Sequence, residues 1–106
     1  MSRMAALMAK RRERRRDVAS AAVSRILRDA SENRIEINVV GSLAKGDFRS
    51  HSDVDLLVRG PMDPKRRLLA ERLVAEAMQA SGLPYDLIFE ADLTDDRLQE
   101  FLDGIV

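Results

Sequence analysis

The sequence predicts an α/β (α+β) fold, one domain built on a small mixed sheet of about three strands with helices packed against it. Three observations lead there. Residues 3–32 contain neither Gly nor Pro and are rich in Ala, Arg and Leu, which favours one long helix. Three short runs of β-type patterning follow, bounded by Gly, Pro and polar clusters. An apolar stripe of helical period separates the second run from the third. The predicted order is αβ(α)βαβα, an alternation that belongs to a compact layered unit.

Each element has its own warrant. Ala19, Val23, Ile26, Leu27 and Ala30 fall on one helical face, and Ser31-Glu32-Asn33 is a plausible stop. The basic run interrupts that stripe, so the first ten residues are expected to fray or to need a partner. Residues 34–40 alternate around Ile35, Ile37 and Val39, a strand that ends at the tight turn Gly41-Ser42. Leu43 to Asp47 has room for a single helical turn before the polar loop Arg49 to Ser52. Residues 53–58 read as the second strand, with Val54, Leu56 and Val58 on the face opposite Asp53 and Asp55. Asp63-Pro64 opens a helix, an N-cap acid followed by Pro at the first helical position. Leu69, Ala70, Leu73, Val74, Ala77 and Met78 form its apolar stripe, and Ser81-Gly82 closes it. Residues 84–89 are the third strand; Tyr85, Leu87 and Phe89 share the core face, and Asp86 and Ile88 share the other. Thr94-Asp95-Asp96 caps a last short helix to about Asp103.

At 106 residues there is room for one domain, with residues 1–33 as a basic N-terminal helix and residues 34–103 as the core that carries the site. The chain has no Cys, which removes disulfides and thiolate metal sites and fits a reducing, cytoplasmic setting. No apolar run approaches a membrane span. The Arg-rich start also has the composition of a transit peptide, but past the basic run an apolar stripe continues and joins the domain. Net charge is zero, yet residues 1–34 hold ten Lys/Arg against four Asp/Glu and residues 35–106 hold eight against fourteen. The two halves are of opposite sign.

Asp53 and Asp55 are the chemically telling pair. Asp is depleted in strands, and residues two apart in a strand face the same side. Two carboxylates on one face of a largely apolar strand are costly unless a cation neutralises them, which a divalent metal on a nucleotide phosphate would do. Gly41 allows close backbone approach to a ligand, and Ser42 opens a helical turn whose hydroxyl and amides suit a phosphate. Asp86, on the third strand, is placed to join the pair if that strand neighbours the second. Three acids, two Mg²⁺ ions and a phosphate-gripping turn match in-line displacement at phosphorus, with Asp86 also able to accept the nucleophile's proton.

Gly41-Ser42, ten intervening residues and Asp53-Val54-Asp55 together resemble the signature of the minimal nucleotidyltransferases (MNT), small members of the polymerase-β-like nucleotidyltransferase superfamily. Gly46 completes the pattern Gly41-Ser42-x-x-x-Gly46, and Tyr85-Asp86-Leu87 is similar to the strand that carries the third acid. The resemblance covers roughly residues 34–103. It implies a nucleotidyltransferase core that transfers a nucleoside monophosphate, usually AMP from ATP, onto a hydroxyl with Mg²⁺. It implies Asp53, Asp55 and Asp86 as metal-binding and catalytic residues. It also implies an antitoxin encoded beside a small helical HEPN ribonuclease toxin, which some members neutralise by AMPylation of a Tyr. The long basic helix is outside the family pattern, and a further apolar segment is commonly found where this chain reads Gly104-Ile105-Val106.

The remaining candidates are read against plainer alternatives. Lys45 and Arg49 are placed to reach nucleotide phosphates or to be solvated loop cations, and Ser52 to orient Asp53 or the loop. His51, the single His, reads as a solvated loop residue. The Lys10 to Arg16 run admits three readings: a solvated helix face, a surface for an acidic partner protein, or a nucleic-acid contact. No aromatic interleaves it as a stacking platform, so nucleic acid is the weakest of the three. Three functions stay open: AMP transfer to a partner protein, neutralisation by binding alone, and transfer to a small molecule such as an aminoglycoside. The small size leads to the expectation that a partner protein or a second copy of the chain helps to hold the acceptor.

Overall fold

The computed structural model describes residues 2–49 and 51–103. Ser50 of the polar loop and the terminal Gly104-Ile105-Val106 lie outside the described residues. Helix α1 spans Arg3–Glu32 and leads into strand β1, Ile37–Val40. A four-residue helix α2, Gly41–Ala44, and the polar loop bring the chain to β2, Val54–Val58. Helix α3, Pro64–Ser81, then carries it to β3, Tyr85–Phe89, and a 3₁₀ turn at Glu90–Asp92 precedes α4, Asp95–Asp103. The three strands form one mixed sheet in the order β1-β2-β3, as the α+β reading expects.

Helix α1 already includes Arg3 to Lys10. Ser2 caps it, its Oγ accepting from the Ala5 amide at 3.1 Å, and the Ala- and Arg-rich sequence sustains helix from there. Its far end consumes residues assigned above to the first strand. Arg34 sits in the left-handed region at φ 56, and the Ile35 amide still donates to the Ala30 carbonyl at 2.9 Å. The strand therefore opens at Ile37 rather than Arg34. For a similar reason Asp53 stands just before β2 rather than in it. The ladder begins where the Val54 amide donates to the Pro84 carbonyl at 3.0 Å. Helix α3 begins and ends as expected: the Asp63 carboxylate accepts from the Arg66 amide at 2.9 Å, and Gly82 terminates it.

Strand alternation puts Val54, Leu56 and Val58 on the helix side of the sheet and Asp55 on the other, where Leu57 and Val40 are also buried. Val54, Leu56 and Val58 are fully buried and share a cluster with Ile37 and Phe89, covered by α1 and α3. Ala19, Ala22 and Ala30 on α1 and Ala70 and Ala77 on α3 are buried with them, and such small side chains let packed helices approach closely. Leu27 and Leu69, expected in these stripes, are 40% and 37% exposed. At 100° per residue they lie roughly 80–110° from the stripe centres, outside the arc that one sheet face covers. Tyr85, expected in the core, is 36% exposed at the start of β3, whereas Phe48 from the polar loop is buried at 2%. Beyond the sheet, the Arg67 guanidinium lies 4.1 Å from the Phe89 ring centroid and binds Asp92 through both of its terminal nitrogens, at 3.0 and 2.6 Å. That bond holds the Asp92 carboxyl below its ordinary range and ties α3 to the turn after β3. Among the described residues no helix is long and apolar enough to cross a membrane.

Leu56 is the centre of this arrangement. Leu56→Ala is expected to cost about 2–5 kcal/mol in urea denaturation, and Leu87→Ala, at the half-buried neighbouring position, distinctly less.

Candidate functional site

On the face opposite the helices, the strand registers bring three sequence-distant segments to one place. Antiparallel pairing of β1 with β2 sets Val40 opposite Asp55, so the next residue, Gly41, turns beside the Asp55 side chain. Parallel pairing of β2 with β3 sets Asp55 directly opposite Asp86. Aligned residues of neighbouring strands lie about 4.8 Å apart and point to the same face. Asp53 precedes Asp55 by two residues and completes the acidic corner. Asp55 is half-buried; Asp53 and Asp86 are exposed.

Gly41 has a steric reason to be Gly. Its φ is +72, and a Cβ built on it would collide with the Asp55 carboxylate. The turn it opens is tightly bonded: the Lys45 amide donates to the Gly41 carbonyl at 3.2 Å, the Gly46 amide to Leu43 at 3.2 Å, and the Asp47 amide to Ser42 at 2.8 Å. No side chain caps the start of α2, so its first amides stay available to an anion. Ser42 is at this turn; Lys45 is exposed just beyond it. Ser52 is engaged with the loop, since its Oγ accepts from the Arg49 amide at 2.9 Å and its own amide donates to the Arg49 carbonyl at 3.0 Å. Arg49 pairs with Asp47 at 3.2 Å, and His51 is exposed.

The electrostatics are those of crowded like charges. The Asp55 carboxyl is pushed above its ordinary 3.8, first by burial, then by the charge of Asp86 and that of Asp53. Among the described residues no three acids or histidines stand close enough to form a ready metal-holding group. The donor set nevertheless fits a hard divalent ion. It is all carboxylate, it carries an uncompensated repulsion that a cation would relieve, and the missing Gly41 side chain makes room for the Asp55 carboxylate against the turn.

A family model described as a nucleotidyltransferase domain matches residues 21–105, a span that includes the Gly41 turn and all three acids. The chain belongs to the nucleotidyltransferase domain family. No curated protein matches it. Nucleotidyl transfer is thus the general reaction of this nucleotidyltransferase, and such domains generally use a nucleoside triphosphate and a divalent metal.

Two residues of α1 that sequence reasoning left unassigned also reach the neighbourhood. Arg15 donates to the Ser52 carbonyl at 3.2 Å and Arg16 to the Gly46 carbonyl at 3.4 Å. Both belong to the basic run, and both lie before the matched span. The three readings of that run did not include a contact with the site loop. The buried Phe48, a lone aromatic in a polar loop, was the one signal that something packs there.

Because its folded value is raised, Asp55 favours the folded state fully only below about pH 3.8, and that contribution is lost as pH rises through the folded value. Asp55→Asn in metal-free buffer is therefore expected to melt a few degrees above the parent at pH 7, with the gap closing near pH 3. Thermal melts at both pH values check this. Gly41→Ala should lose about 1–3 kcal/mol through its positive φ and the clash with Asp55. Part of that loss should return in an Asp55→Ala background, as a double-mutant cycle would read.

Proposed function

We propose that this nucleotidyltransferase moves AMP from ATP onto a hydroxyl of a partner protein and acts as the antitoxin of a HEPN/MNT-type pair. The observation that carries the transfer reading is the register that sets the Asp55 carboxylate between Gly41 and Asp86. The uncapped amides of α2 and the Ser42 hydroxyl would hold the triphosphate, with Lys45 and Gly46 at the rim of the same turn. Asp53, Asp55 and Asp86 would hold Mg²⁺, which supplies charge neutralisation at the phosphates and stabilises the leaving pyrophosphate. The acceptor oxygen bonds to the α-phosphorus, the α–β anhydride bond breaks, and the hydroxyl proton passes to Asp86.

A protein acceptor is favoured by the openness of the site. Asp53 and Asp86 are exposed, so a second surface is needed to exclude water from the reacting atoms. Met4, Leu7 and Met8 on α1 are 69%, 48% and 45% exposed and offer apolar contact area for such a surface. The toxin as that partner rests on the family resemblance of Gly41-Ser42 and Asp53-Val54-Asp55. Neutralisation by binding alone is the second reading, favoured by the same exposed apolar side chains of α1, which would serve a complex without any transfer.

With purified partner, Mg²⁺ and α-labelled ATP, label is expected on the partner. Asp53→Ala and Asp55→Ala should each reduce it to background while circular dichroism stays unchanged. Transfer that survives both substitutions would refute the site. In cells, full neutralisation by the double variant would favour binding alone over catalysis.

A further inference from the structure

The basic run of α1 makes contacts that none of its sequence readings contains. Helix α1 is 30 residues long, about 45 Å, yet its buried residues begin only at Ala19. The part before Ala19 runs past the loop that joins α2 to β2. There Arg15 is half-buried. Its guanidinium donates to the Ser52 carbonyl at 3.2 Å and lies 5.7 Å from the Phe48 ring centroid. Phe48 is 2% exposed and belongs to the main core cluster. Arg16 adds a longer, exposed bond of 3.4 Å to the Gly46 carbonyl.

These contacts grip the loop at both ends and at its middle. Gly46 closes the α2 turn, Phe48 anchors the loop to the core, and Ser52 is the residue before Asp53. Packing between helix and loop is otherwise incomplete, with a cavity of about 470 Å³ among Arg12, Arg16, Asp47, Phe48 and Arg49. The loop's attachment on that side thus falls mainly on Arg15 and Phe48. A planar guanidinium suits this task, because it can stack on a ring while its nitrogens bond a carbonyl.

We propose that Arg15, assisted by Arg16, is a positioning residue. It fixes Gly46, Phe48 and Ser52 of the loop from outside the family's matched span, and so sets the relative placement of the α2 phosphate turn and Asp53. The effect on nucleotide handling rests on the transfer reading above. The effect on the loop does not.

Two measurements on the full chain separate them. In amide hydrogen exchange, Arg15→Gln is expected to lose protection over residues 46–53, while the β2 amides of Leu56 to Val58 and the melting temperature stay as in the parent. In titration with Mg²⁺ and a non-hydrolysable ATP analogue, the same variant should bind roughly tenfold more weakly, and in turnover KM should rise with kcat little changed. Arg15→Lys keeps the charge without the stacked fork and should remain impaired, which also covers the case in which Arg15→Gln folds poorly. Arg14→Gln, an exposed neighbour in the same run, should match the parent. Unchanged loop protection in Arg15→Gln, or full recovery with Lys, would overturn the proposal. A parent that binds nucleotide no better than Arg15→Gln would overturn it too. A parent that binds no nucleotide at all would instead bring down the transfer reading, and the loop-fixing role of Arg15 would then stand or fall on the exchange result alone.

Discussion

The candidate site depends on β2 being paired along both of its edges in opposite senses. Its antiparallel neighbour delivers the end of β1, and with it the Gly41 turn, to the start of β2. Its parallel neighbour delivers the start of β3, and with it Asp86, to the same end. An all-antiparallel three-strand meander would put Asp86's end of β3 at the far end of β2. The parallel step requires a crossover, which α3 provides, and α3 in turn needs a sheet face to bury its stripe. Fold and site are in this sense one constraint.

That convergence works against stability. Burial and two neighbouring acids oppose the charge on Asp55. The expense is borne by the other face of the same strand, where Val54, Leu56 and Val58 are completely removed from water beneath two helices. Ionic and cation–π contacts at the opposite end, Arg67 with Asp92 and Phe89, and Arg59 with Glu90 at 3.5 Å, hold the far ends of the strands while the acidic end stays repulsive. A site of this kind is destabilised in the direction of its ligand: a cation would bind by removing a cost already present.

Much of this was legible because it is local. Gly41-Ser42 and Asp53-Val54-Asp55 speak through turn chemistry and strand alternation, and the Asp63-Pro64 start of α3 speaks through capping. Each needs only a few neighbouring residues to be read. Asp86 required a strand neighbour that the sequence does not specify, so it could be nominated by strand phase and family resemblance but not paired. What escaped was non-local. An arginine bonded to a carbonyl 37 positions away looks, in sequence, like any solvated arginine in a basic run. Phe48, a lone aromatic beside a polar loop, marked a place where something packs but not which residue packs on it. Leu27 and Leu69 failed for a geometric reason, because a periodic stripe does not reveal how wide an arc its neighbour will cover. Arg34 failed because a left-handed helix end at a non-glycine residue has no strong sequence mark.

The alternation along β2 has a consequence for how this protein can diversify. Odd-numbered Asp55 faces the ligand side, and even-numbered Val54, Leu56 and Val58 face the helices, so the strand has a parity. Inserting or deleting one residue between Asp53 and Val58 would exchange the two sets. Carboxylates would enter the helix layer and aliphatic side chains would surface at the reactive corner. The strand can therefore vary by substitution but not by length. Descendants of this chain are free to drift in side-chain identity there, while the frame of Asp53 to Val58 stays fixed.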